Sequence, residues 1–174
     1  MDTQDENRQP QGDAALITPS IPDFKGYSDK NQRNDADTQL RTYIIRQLES
    51  FKTTLEEIIQ AVAAEKRLDL LSDYDDIMKS IDSFKELLTE PPADCGDFFE
   101  LENLPEEELA GIYLLDYQLL EKSAHLQELL TGLRDNPLER NDARALDSRL
   151  REMITCFTER SISMKGCRCG EEIS

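Results

Sequence analysis

The chain has 174 residues, enough for one domain with tails, and its 20 basic and 37 acidic residues leave a formal net charge of −17. A surface that acidic disfavours direct nucleic-acid binding and contact with anionic membranes. No apolar run approaches the ~18 residues of a spanning helix. The opening stretch, MDTQDENRQPQGD, has neither the basic nor the apolar region of a secretory signal, so a cytoplasmic protein without membrane insertion is expected. Four cysteines are too few for a disulfide scaffold.

Residues 1–36 are rich in Asp, Asn, Gln, Ser and Pro, with Pro10, Pro19 and Pro22 interrupting any helix, and are expected to form a disordered N-terminal tail. Within it, Leu16, Ile17, Ile21, Phe24 and Tyr27 form an apolar strip able to dock on the protein's own bundle or on another protein. The first strong helix is predicted from about Asp37 to Arg67. There Ile44, Leu48, Phe51, Leu55, Ile58 and Val62 recur at spacings of 4, 3, 4, 3 and 4. That seam is coiled-coil-like, but three heptads suit a bundle helix better than a free-standing coiled coil.

A second helix is predicted from Ser72, a candidate N-cap, to Thr89. Its stripe is Tyr74, Ile77, Ile81, Phe84 and Leu88, and Pro91 and Pro92 end it. After the loop Glu90–Leu104, Pro105 and Glu106–Glu108 suit the first turn of a third helix, predicted over Pro105–Leu133. Leu109, Ile112, Leu119, Leu126, Leu130 and Leu133 lie on one of its faces. Arg134–Pro137 breaks the chain. A fourth helix over Asp142–Arg160, capped by Asn141, repeats Ala143, Leu146, Leu150, Met153 and Phe157. The expected fold is therefore all-α: an up-down four-helix bundle over 37–160, a disordered tail over 1–36, and a short, flexible, cysteine-containing tail over 161–174.

The charge is uneven. Residues 1–133 carry 12 basic and 29 acidic groups, whereas residues 134–168 carry 8 and 6. No Gly-rich phosphate loop, nucleophile elbow or EF-hand pattern occurs, and the lone histidine, His125, excludes a di-iron bundle site. No catalytic residue and no cofactor are expected.

Two local features stand out. The first is the cysteine set Cys156, Cys167 and Cys169, which would chelate a soft metal if brought together. The stretch CRCGEEI at its end resembles half of a zinc ribbon with one spacer residue lost, over seven residues. Flexible thiols without a metal are the plainer alternative. The second is the loop between Glu90 and Glu108, with eight acidic and no basic residues. There Phe98, Phe99, Leu101 and Leu104 are candidate partner-binding anchors, kept hydrated by the surrounding acids. The competing expectation is that Phe98, Phe99 and Leu101 tuck against the bundle and staple the third helix.

Leu55–Leu71 resembles bacterial helical secretion chaperones in general composition, as would any amphipathic helix of this kind. The leading functional expectation is a non-enzymatic helical adaptor or chaperone-like module that binds another protein, with self-association left open. The alternatives are an acidic regulator masking a basic nucleic-acid-binding partner, and a small metal-binding protein using the C-terminal cysteines.

Overall fold

The computed structural model describes residues 13–92, 94–138 and 140–167. Four long helices carry the fold: α1 (Arg33–Ala64), α2 (Leu68–Thr89), α4 (Glu106–Asp135) and α5 (Arg140–Gly166). A single short helix, α3 (Gly96–Glu100), lies in the link between α2 and α4. There is no strand among the described residues, and none of their helices is long and apolar enough to cross a membrane.

The helices alternate in direction, as expected of an up-down bundle. Lys52–Asp82 and Lys85–Glu49 set α1 antiparallel to α2, and Lys122–Glu152 does the same for α4 and α5. The packed neighbours are α1 with α2, α2 with α5, α5 with α4, and α4 with α1. The chain therefore crosses one end of the bundle diagonally between α2 and α4. That crossing is why this link is long, and it makes the α1–α4 and α2–α5 contacts parallel.

The apolar stripes form the core. Ile44, Leu48, Phe51, Leu55, Ile58 and Val62 of α1 are buried, as are Tyr74, Ile77, Ile81, Phe84 and Leu88 of α2. Ala143, Leu146, Leu150, Met153 and Phe157 of α5 face them. Phe84 and Phe157 meet edge to face at 5.8 Å, joining the two parallel neighbours.

Helix ends differ from the periodicity in instructive ways. Helix α2 begins at Leu68, so Ser72 is an interior residue and not an N-cap. The cause is the preceding turn. Lys66 takes a left-handed conformation (φ 57°), and its N–H and that of Arg67 return to the carbonyls of Ala63 and Val62, a Schellman-type closure that reverses the chain at once. Helix α1 starts at Arg33, a turn before the expected Asp37, because Arg33 itself is bound in the interior.

Both expected tails are shorter than their composition implied. Residues 1–12 lie outside the described part. From Asp13 onward the expected disorder does not hold: Ala14–Asp29 forms a strap with Ile17, Phe24 and Tyr27 buried against the bundle. The apolar strip thus docks on its own chain. Prolines do not prevent this, since the strap needs only a short 3-10 turn (Ala14–Leu16) and irregular backbone, not a helix. At the other end α5 runs past Arg160 to Gly166, with Met164 and Cys167 buried, so 161–167 belong to the bundle and only 168–174 fall outside the described residues.

Replacing Leu55 or Leu126, both buried centrally in their stripes, with Ala should cost about 2–5 kcal/mol each, read from the denaturant midpoint.

Candidate functional site

The most unusual chemistry in the molecule lies inside it. Arg160 on α5 is fully buried. Its Nε donates to Asp116 of α4, its Nη2 donates to the Tyr27 hydroxyl at 2.8 Å, and its Nη1 lies 2.7 Å from Oδ1 of Asp37 on α1. The last contact is a charge contact and not a well-aligned hydrogen bond. Tyr27 donates in turn to the second oxygen of Asp116, so both oxygens accept and the geometry is that of the carboxylate. Asp37 also accepts from Nε of Arg41 at 2.8 Å. Nη1 of Arg41 caps the end of α2 through the carbonyls of Leu88 and Glu90, at 3.1 and 3.0 Å. Two guanidinium groups thus face two carboxylates, and the cluster is electrically balanced.

Burial shapes the ionisation of these groups. It would lower the pKa of Arg160, but Asp116, Tyr27 and Asp37 outweigh it and hold the guanidinium charged, above its ordinary value. Burial pushes the Asp116 carboxyl up, against the opposing pull of Arg160 and the Tyr27 hydroxyl. It also pushes the Tyr27 hydroxyl well above its ordinary range, so that side chain stays a donor.

A second buried cation fixes the strap. Nε of Arg33 donates to the Tyr27 carbonyl at 2.7 Å, and Nη1 donates to the carbonyls of Phe98 and Leu101 at 2.9 and 2.6 Å. The Tyr27 N–H donates to the Tyr113 hydroxyl at 2.6 Å. Gly26 permits this approach. Its φ of +77° suits glycine, and a Cβ there would stand 3.0 Å from the Tyr113 oxygen.

The candidate anchors of the acidic loop are gathered here, but they face inward. Phe98 is fully buried, edge-on to Tyr27 at 5.4 Å and to Phe99 at 5.0 Å, beneath Arg33. Leu104 is buried, while Phe99 and Leu101 pack partly against the core. Phe98 and Leu104 are therefore not exposed anchors. Phe98, Phe99 and Leu101 thus tuck against the bundle, as in the competing expectation for this loop, and Leu104 and Leu109 hold the N′ and N4 positions at the start of α4.

Cys156 and Cys167 are not brought together. Cys156 lies within α5 with its thiol donating to the Leu115 carbonyl at 3.5 Å, and the Cys167 thiol donates to the Ser163 carbonyl at 3.3 Å. Eleven residues of helix separate them by roughly 16 Å, far beyond what one tetrahedral ion can bridge. Cys169 lies outside the described residues, among which no group of three or more His, Cys, Asp or Glu side chains is placed to hold a metal. Burial pushes Cys156 up to about 11 and Cys167 up to about 12, which opposes the thiolate a metal needs. His125 stands exposed on α4.

The surface offers a groove of about 410 Å³ between α4 and α5, lined by Gln118 and Lys122 on one side and by Glu152, Thr155 and Glu159 on the other, with Cys156 in its wall. Helical spacing carries the α4 row back to Leu114 and the α5 row on to Ile162. These two side chains are 48% and 62% exposed. A smaller cleft of about 180 Å³ lies under Pro91 and Pro92.

The fold and these features define an all-helical bundle closed by a buried ionic cluster. The chain matches no family model, no curated protein and no solved structure.

Two outcomes follow. Tyr27→Phe removes one donor to Asp116 and one acceptor for Arg160, and should cost about 1–3 kcal/mol in denaturant unfolding. The folded state favours the neutral thiols of Cys156 and Cys167. Their contribution is therefore complete below the ordinary thiol value of 9.0 and is lost as pH rises toward 11 and 12. Thiolate absorbance at high pH should show both groups titrating above the midpoint measured in denaturant.

Proposed function

We propose that the protein is a non-enzymatic helical adaptor or chaperone-like module whose task is to bind another protein. The observation that carries this reading is the division between interior and surface. The buried ionisable groups are taken up in links between segments, with Tyr27, Asp116 and Arg160 closed to solvent, while two bulky aliphatic side chains, Leu114 and Ile162, are exposed beside an open groove. A cytoplasmic setting goes with this reading, since Cys156 and Cys167 are free thiols. The net charge of −17 favours a second reading, in which the acidic surface masks a basic nucleic-acid-binding protein.

Salt separates the two. The partner is captured by cross-linking in the native host, purified, and mixed with this protein at low salt and at about 1 M salt, where charge contacts beyond about 3 Å are screened. An adaptor seated on apolar side chains should keep its complex at high salt. Full dissociation, with release of a protein that then binds nucleic acid, would replace the adaptor reading by the masking one.

A further inference from the structure

We propose that the α4–α5 face docks a basic amphipathic helix of another protein, with the apolar side of that helix seated on Leu114 and Ile162. The inference rests on the protein-binding reading above and adds the surface and the partner's chemistry.

Three observations converge. The first is register. Lys122 pairs with Glu152 at 3.6 Å, and Asp116 lies opposite Arg160, so on these antiparallel helices Leu114 falls at the level of Ile162. Leu114, Gln118 and Lys122 follow at intervals of four, and Glu152, Thr155, Glu159 and Ile162 at three or four, so both aliphatic residues stand at one end of the same groove. Among the described residues the other large exposed apolar side chains are Leu68 and Leu87, and Leu87 lines the smaller cleft under Pro91 and Pro92.

The second is access. Gly111 is exposed one turn before Leu114, and a Cβ built on it meets nothing within 4 Å, which leaves a low shelf beside the two side chains. A helix of about 10 Å diameter lies naturally along a groove between two packed helices.

The third is charge. Toward the far end of the groove the cations are already paired, Lys122 with Glu152 and Arg151 with Asp147. Glu159 stands one turn from Ile162, and Glu107 and Glu121 lie two turns either side of Leu114 on the same stripe; none of the three has an ion-pair partner among the described residues, Glu121 accepts only from the Tyr117 hydroxyl among the contacts described, and Lys165 is the nearest cation in register. A second copy of this chain would bring another −17 against these acids, whereas a basic helix complements them.

The test uses the full chain and a synthetic Leu/Lys amphipathic peptide of about four helical turns, with a Leu/Glu peptide as control. NMR shifts map the contact, and fluorescence anisotropy gives affinity. Saturable binding of the Leu/Lys peptide is expected, with shifts centred on Leu114, Gln118, Thr155 and Ile162. The Leu114→Ser/Ile162→Ser variant should keep its Tm and lose affinity on the order of tenfold. Glu121→Lys/Glu159→Lys, which leaves the apolar pair intact, should also weaken binding and flatten its salt dependence. The inference is overturned by shifts centred on the acidic α2–α3 region, by undiminished affinity in both variants, or by equal binding of the Leu/Glu peptide. A dimer of the free chain that covers Leu114 and Ile162 overturns it as well. None of these outcomes touches the salt experiment with the captured partner, on which the adaptor reading stands separately.

Discussion

A guanidinium can remain in a protein interior only where its charge is matched and its N–H groups are received. Arg160 meets that condition by drawing one partner from each of three other segments: Tyr27 from the strap, Asp37 from α1 and Asp116 from α4. Most of the architecture at this end of the bundle follows from that requirement. The strap must return across the helices to deliver the Tyr27 hydroxyl. Arg33 must hold the strap's backbone to the loop before α4, and Arg41 must share Asp37 while closing the end of α2. An ion cluster of this kind is a poor source of net stability, because desolvation offsets much of its attraction, but removing one member leaves an uncompensated charge. Its contribution is therefore to specify which segments meet.

The four long helices were legible because their apolar residues recur at 3 and 4. The ionic cluster was also written in that register, and apolar patterning passed over it. Counting back from Ile44 along α1, the stripe continues through Arg41, Asp37 and Arg33. Asp116 fills the gap between Ile112 and Leu119, and Arg160 follows Phe157 by three. Charged residues at core positions, all at one end of the bundle, were the available signal. Opposite charges on different helices find one another only in three dimensions, so pairing them needed the diagonal crossing that periodicity does not encode.

The strap departs from its expected disorder for a related reason. Its polar, proline-containing composition suits disorder when considered alone. Ile17, Phe24, Tyr27 and Phe98 nevertheless bury completely or nearly so, because Arg33 supplies donors to backbone carbonyls that irregular structure would otherwise leave unsatisfied. One buried arginine thus does for two loops what a ladder of hydrogen bonds does for a helix. The consequence for function is that Phe98 of the acidic loop is taken up by the fold and Phe99 partly so, which moves attention to α4 and α5, where Leu114 and Ile162 remain outside.

The central claim, that Arg160 decides how the strap, α1 and α4 are joined, is tested most directly by Arg160→Met with two readouts on the same sample. Denaturant unfolding reports the global cost, and hydrogen exchange over Ala14–Asp29 reports the strap. A loss of about 3–5 kcal/mol is predicted, with strap amides exchanging well before those of α1 and α5, because Asp116 is left buried without a cation while Asp37 keeps only Arg41. An unchanged midpoint with the strap still protected would contradict it.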